Sequence, residues 1–289
     1  MDGWIILDKT SGVFSKAAAM RAAKLFGTKK NGHIGTLDPM ASGVLPIAIG
    51  NATKMVPFIE EFCDRTKEYL FSVVFGFETD TLDITGTETR RSDVIPTETM
   101  VREILPKFIG RISQIPPLFS AVHIAGHRAY ELARAGETVD IPARTVEIYS
   151  LELVGADENV WNFCMRCSPG TYVRSVARDM AYAMNTVATV SAIRRTQTSG
   201  FTIKDAVTLD FLENLVNNGG DAGKYLASVD SGLGGIPVLN LDGGFVRLYR
   251  NGGFVRVADA DGIRRVYSDG FFIGIGTVAN GMLRPTRTI

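Results

Sequence analysis

The chain has 289 residues, 45% of them hydrophobic, and 31 Lys and Arg balance 31 Asp and Glu. It can bury one large core, or one large and one small, and its three cysteines are too few for a disulfide framework. No apolar run reaches membrane-spanning length, and the N-terminus MDGWIILDKT carries acids where a signal peptide needs basic residues. The expectation is a soluble, cytoplasmic protein without a membrane partner.

The charge is unevenly spread. Residues 1–60 hold seven Lys and Arg against four acids, and residues 235–289 again hold seven against four. Residues 61–119 hold seven against ten, and residues 201–234 two against five. Basic ends around an acidic middle permit an anionic ligand along one face, provided the ends meet in space.

Ile5 to Leu7 reads as a short buried strand, and Ser15 to Phe26 as a helix of good helix formers ended by Gly27. The most informative stretch follows, NGHIGTLDPMASGVLPIAIGNAT over residues 31–53. Gly32 and Gly35 allow φ > 0 and close backbone approach, and Pro39 bars Asp38 from the helical region. Leu37, Met40, Val44, Leu45 and Ile47 tie the loop to a core, so Asp38 is a carboxylate on a rigid loop tip, where reacting groups are often mounted. An Asp-Pro pair is also a good helix start, with Asp as the cap.

Glu68 to Phe77 is a strand with Tyr69 near its start. Thr97 to Phe108 is an amphipathic helix that Pro106 should end or kink early. Ile115 to Val122 is extended and proline-stiffened, and Arg128 to Ala135 a short charged helix closed by Gly136. Trp161 to Cys167 reads as a strand, Thr171 to Met184 as a helix with one apolar face, and residues 205–217 as another helix. After the turn-rich Asn217 to Gly223, the chain from about Ile236 reads as short strands punctuated by Gly and Asp, a small all-β unit of barrel-like character.

Several chemistries lack a signal. Cys164 and Cys167 form a CxxC, but on a strand their sulfurs face opposite sides and no further ligands accompany them. His123 and His127 have Gly126 between them and no HExxH glutamate. No glycine-rich loop has dinucleotide or P-loop spacing, so no cofactor and no metal are expected. The stronger partner for Asp38 is Arg174, within SPGTYVRSVARDM (168–180), where Pro169-Gly170 forces a turn and Arg174 lies in the first turn of the next helix. An arginine there is disfavoured by the helix dipole unless something offsets it, and a guanidinium can grip a carboxylate bidentately in a cleft. A solvated helix-start arginine and a core or rim tyrosine are the plain alternatives for Arg174 and Tyr69. In a nucleobase site Tyr69 can stack on the base and bring a hydroxyl to the sugar.

These blocks together resemble the bacterial tRNA pseudouridine synthases of the TruB type, which isomerise uridine 55 in the T-loop. The match runs in order through WIILDKTSG (4–12), KNGHIGTLDPMASGVLPIAIGNATK (30–54), KEYLFSVVFGFETDTLDITG (67–86), KFIGRISQIPPLFSAVHIAGHRAYELARAGE (107–137), SPGTYVRSVARDM (168–180), SAIRRTQTSGF (191–201) and FIGIGTVANGMLRPTR (272–287). The resemblance implies that Asp38 is the catalytic aspartate, Tyr69 the tyrosine that stacks on the target base, and Arg174 the arginine that pairs with the aspartate. It implies substrate-binding parts for His33, which helps hold a flipped T-loop, for Ile193 where a leucine usually lines the pocket, and for Gly32 and Lys9. Thr10 stands where proline is common, and His123 replaces a frequent lysine, which weakens a phosphate contact.

The fold so implied is α+β. A mixed sheet with helices around a central cleft forms a catalytic domain over residues 1–232, with an RNA-binding insertion near 120–148 that moves without RNA. A small PUA-like β domain follows over 233–289. The implied partner is tRNA, gripped through its T-arm by a monomer that needs no protein partner and no cofactor. Two rivals remain open at this stage. One is an RNA-binding or tRNA-folding module, and the other a glycosidase with an Asp nucleophile, which needs a second carboxylate as acid.

Overall fold

The computed structural model describes residues 1–120, 122–124, 127–129 and 140–289. Residues 121, 125, 126 and 130–139 of the expected insertion at 120–148 lie outside the described residues. So does the helix expected over Arg128 to Ala135 beyond its first two positions, of which Arg128 pairs with His123 as a short strand instead.

One ten-stranded mixed sheet carries the molecule. Its main path runs Val207–Thr208, Gly3–Lys9, Ser42–Ile49, Ala188–Thr198, Lys67–Phe75, Val160–Cys167, Arg144–Asp157 and Gly110–Gln114. Two pairings are parallel, Leu7 and Asp8 with Val207 and Thr208, and Arg194 and Arg195 with Ser42 and Gly43. The others along the path are antiparallel.

The period of two along each strand decides which face a side chain joins. In Gly3–Lys9, Ile5 and Leu7 enter one core with Leu45, Ile47, Phe71, Val73 and Phe163. Against that face pack Ala18, Ala19, Ala22 and Ala23 of the helix Ser15–Leu25, and Val176, Ala177, Met180 and Ala181 of the helix Val173–Ala183. Trp4 and Ile6 point the other way, into a second core with Val44, Ala48, Met55, Ile59, Leu233, Ile236 and Ile275. Because Ile275 belongs to the C-terminal sheet, the two basic ends of the chain meet there. Lys54 also donates to the Thr288 carbonyl at 3.1 Å.

The C-terminal sheet has five strands in the order Val238–Asn240, Gly262–Ser268, Phe271–Ala279, Met282–Thr288 and Val255–Arg256. The expected all-β unit also contains a helix. FVRLYR lies within Gly243–Arg250, started by Asp242, whose carboxylate accepts from the Gly244 N–H at 2.8 Å. Its Tyr249 is fully buried among Leu241, Val266 and Leu283. The Asp-Gly-Gly before it reads as a turn, yet it is a capping signal.

Other boundaries move for local reasons. The expected helix over Thr97 to Phe108 runs only from Glu98 to Ile104 and tightens to a 3₁₀ turn over Leu105–Phe108, which places Pro106 where no N–H is needed. The helix expected over 205–217 begins at Leu209, since Val207 and Thr208 pair with the first strand and the Thr208 hydroxyl caps the helix by accepting from the Phe211 N–H. The predicted strand to Phe77 stops at Phe75. Cys167 is buried and Cys164 is not, as opposite faces of one strand require.

The close parallel pairing of Gly43 with Arg195 fixes where the cleft can form. Gly43 has φ +101°, and a Cβ built on it collides with the Arg195 backbone carbonyl. Gly43→Ala is therefore expected to cost at least about 2 kcal/mol. An unchanged midpoint in urea unfolding would contradict this.

Candidate active site

Asp38 sits on a loop tied down from three sides. The Lys9 ammonium, fully buried, donates to the carbonyls of Thr10 at 2.9 Å, Val13 at 2.8 Å and Pro39 at 3.2 Å. The Ser15 hydroxyl donates to the Leu37 carbonyl and accepts from the Leu37 N–H, both at 2.9 Å. Arg195, also fully buried, donates from Nη2 to the Gly35 carbonyl at 2.7 Å and from Nε to the Val44 carbonyl at 2.8 Å. The Ala41 N–H reaches back to the Asp38 carbonyl at 3.1 Å, so Asp38-Pro39 opens a turn and caps no helix.

Gly35 needs its lack of a side chain. It has φ +66°, and an added Cβ would stand 3.0 Å from Arg195 Nη1. Gly32 does not. It lies in the strand Asn31–His33 opposite Ala48, with only ordinary contact, 3.9 Å to Thr53 Cγ2, awaiting a Cβ. The expectation of φ > 0 at Gly32 is thus corrected, since strand pairing takes the backbone there.

Arg174 arrives from the other side of the cleft. Gly170 at φ +84° turns the chain, the helix begins at Val173, and Arg174 falls in its first turn. Its guanidinium is 4% exposed. Nη2 meets Asp38 Oδ2 at 2.6 Å, and Nη1 meets Asp83 Oδ2 at 3.4 Å. The same two nitrogens donate to the carbonyls of Phe119 and Thr81, at 3.0 and 2.8 Å. The dipole penalty of a cation at a helix start is thus offset by two carboxylates. Asp83 is held in turn through Oδ1, which accepts from the Thr81 hydroxyl and from the Thr85 hydroxyl and N–H.

The pair faces a cavity of about 140 Å³. Asp38, Lys67, Tyr69, Arg174 and Ile193 are among its lining residues, with Tyr172 and Gly170 at one side. Asp38 is the accessible member, with its side chain 35% exposed. Tyr69 and Ile193 come from adjacent central strands, where Ile193 opposes Phe71 and Arg195 opposes Tyr69. Burial pushes the Tyr69 phenol up to about 12, only partly countered by the Arg195 charge, so it is a neutral hydroxyl at pH 7. His33 lies behind the rim, its Nε2 3.3 Å from the hydroxyl of Thr36, which does line the cavity. Burial, and then the Arg195 charge, hold its imidazole below the ordinary range. Gly32 and Lys9 are not in the lining, and Lys9 reaches the site only through the carbonyls that it holds. Among the described residues no cluster of His, Cys, Asp and Glu could hold a metal ion.

Three site residues escape sequence reading. Lys67 lies two before Tyr69 and shares its face, so strand alternation marks it once Tyr69 is chosen. Asp83 sits in a Thr-x-Asp-x-Thr loop whose hydroxyls are a local sign of a held carboxylate. Arg195 has no local sign, because only strand register places it.

Two outcomes follow from this geometry. Arg174→Met leaves Asp83 buried without its cation, at a cost of about 3–5 kcal/mol. Adding Asp83→Asn should recover a large part of that loss in chemical denaturation, and additive losses would contradict the pairing. Lys9 and Lys67 are each lowered by burial from 10.5 to about 8. Above pH 8 the folded state has shed protons that the unfolded chain still holds, so stability rises from pH 8 to 9 and not below 8. Cys167 and Tyr69, raised by burial, oppose the trend at higher pH. A urea midpoint that falls between pH 7.5 and 9 would refute the burial of both amines.

Comparisons with known proteins place the chain among its relatives. Residues 23–173 match the model of the TruB family pseudouridylate synthase, N-terminal domain. A protein of Rhizobium meliloti named tRNA pseudouridine synthase B is 39% identical over 298 residues, covering 99% of this chain and 95% of the relative. One of the same name from Brucella anthropi is 50% identical over 214 residues, and there the match spans 74% of this chain but only 65% of the relative's length. A solved H/ACA ribonucleoprotein bound to a substrate RNA containing 2′-deoxyuridine shares the fold, with a TM-score of 0.72 and 20% identity over 99% of this chain and 84% of that one. On its matched half and its full-length relative alike, the chain belongs to the TruB family of pseudouridylate synthases.

Proposed function

We propose that this protein converts uridine 55 in the T-loop of tRNA to pseudouridine. The observation that carries the reading is the Asp38–Arg174 pair opening onto a ring-sized cavity beside Tyr69. A stacked uridine cannot present its glycosidic bond to Asp38, so the nucleotide is flipped out at a cost of a few kcal/mol. An apolar cavity of about 150 Å³ is known to hold one benzene-sized ring, and the space beside Asp38 is close to that size.

Asp38 then acts as nucleophile on the sugar or on the base, or as the base that deprotonates the sugar. Arg174 orients the carboxylate and offsets its charge. Tyr69 offers a flat ring for the base to stack on, and Ile193 packs the far wall. His33, acting behind Thr36 at the rim, helps hold the flipped loop, with phosphates gripped by the basic N-terminal and C-terminal segments. Lys9 keeps the Asp38 loop in place. In this reading residues 1–232 form the catalytic domain and residues 233–289 a PUA-like RNA-binding domain. No cofactor is called for, because the product is an isomer of the substrate. No helix among the described residues is long and apolar enough to cross a membrane.

The glycosidase alternative is weaker on one observation. The carboxylate nearest in function, Asp83, is only 6% exposed and already serves Arg174 and two threonines, so it is no free acid for a leaving group.

T-loop RNA tritiated at uracil carbon 5 tests the proposal. The wild type is expected to release tritium, and Asp38→Asn to bind the RNA within about threefold of normal while losing at least about 10³-fold in release. Unchanged release by Asp38→Asn, or liberation of free uracil by the wild type, would refute it. Pseudouridine found at another position would move the site within the tRNA.

A further inference from the structure

Five cations stand in or beside the cavity, and four are tied to acceptors, Arg144 among them through the Gly170 carbonyl. Lys9 gives its hydrogens to carbonyls, Arg174 meets Asp38 and Asp83, and Arg195 holds Gly35 and Val44. Lys67 is different. It lines the cavity on the same strand face as Tyr69, and among the described residues its ammonium has neither a carboxylate nor a carbonyl partner. The groups that act on it are Arg195 from the neighbouring strand, the Cys167 thiol from the strand on the other side, Arg65 before its own strand, and Arg144. All the charged ones are cations. A half-buried ammonium among like charges gains most from a guest that brings negative charge.

The reaction proposed above generates such a guest, and this inference rests on that reading, for the route through the sugar. When an Asp38 oxygen bonds to C1′, the C1′–N1 bond breaks and its electron pair leaves with the uracil. The detached ring is an anion, its charge shared by its carbonyl oxygens. It then turns, C5 bonds to C1′ as the Asp38–C1′ bond breaks, C5 loses its proton and N1 takes one up, so nothing is gained or lost overall. Once bonded to C1′, Asp38 is a neutral ester and its former charge rides on the detached ring, while Arg174 stays held by Asp83 and by the Thr81 and Phe119 carbonyls.

We propose that Lys67 is a further catalytic residue, donating a hydrogen bond from its ammonium to a carbonyl oxygen of the detached pyrimidine and holding it as the anion until C5 attacks. Preorganised donors at developing charge typically contribute two to three orders of magnitude in rate.

Single-turnover tritium release and RNA affinity, measured on Lys67→Met and Lys67→Arg, test this. Lys67→Met should release about 10²-fold more slowly while its Kd for the RNA changes less than about twofold. Lys67→Arg, which keeps the charge and the donors, should recover most of the rate. Burial places the Lys67 amine at about 8, so the wild-type rate should decline as pH rises through 8, and Lys67→Arg should stay flat to pH 9.5. A weaker Kd with an unchanged rate would make Lys67 a phosphate contact and overturn the proposal. A normal rate in Lys67→Met would overturn it too, as would a high-pH decline that persists in Lys67→Arg, which would point to Lys9. Wild-type protein that releases no tritium would defeat the parent reading and this one together, whereas wild-type release with a normal Lys67→Met defeats this one alone.

Discussion

The structure depends on one guanidinium that two loops must share. Arg174 lies almost wholly out of water, and a lone buried cation of this kind is strongly unfavourable. Asp38 from one loop and Asp83 from another offset it, and the same two terminal nitrogens also donate to two carbonyls. Three segments distant in sequence are therefore interdependent. Removing any one leaves a charge exposed to low dielectric, which is a sharper penalty than the loss of an ordinary contact.

The division of labour between the two aspartates follows from their surroundings. Asp83 is enclosed and accepts from threonine donors, so its lone pairs are occupied. Asp38 is bound at one oxygen and partly open to the cavity, so it keeps capacity for a reacting atom. The same guanidinium serves as an anchor toward one loop and as an orienting group toward the other.

How much of this was legible in the sequence can be seen residue by residue. Asp38 was legible because glycines and a proline around an acid constrain its backbone so tightly, and Arg174 because a cation at a helix start calls for a counter-charge. Strand periodicity gave the Tyr69 strand to within two residues, since alternation is a strong signal on a half-buried sheet. Asp83, Lys67 and Arg195 were not picked out, because they matter through register and loop closure, which join positions far apart in the chain. The helix at Gly243–Arg250 was missed because a run of glycines before FVRLYR imitates a hairpin. Gly32 was credited with a backbone freedom that strand pairing does not let it use.

The small size of the cavity has a consequence for which nucleobases can enter. Ile193 and the Asp38 loop, two of its walls, are fixed by a central strand and by buried cations, so the space between them has little freedom to widen for a bicyclic ring. In the proposed reading, that rigidity lets ring size contribute to telling the two base classes apart before any polar edge is inspected.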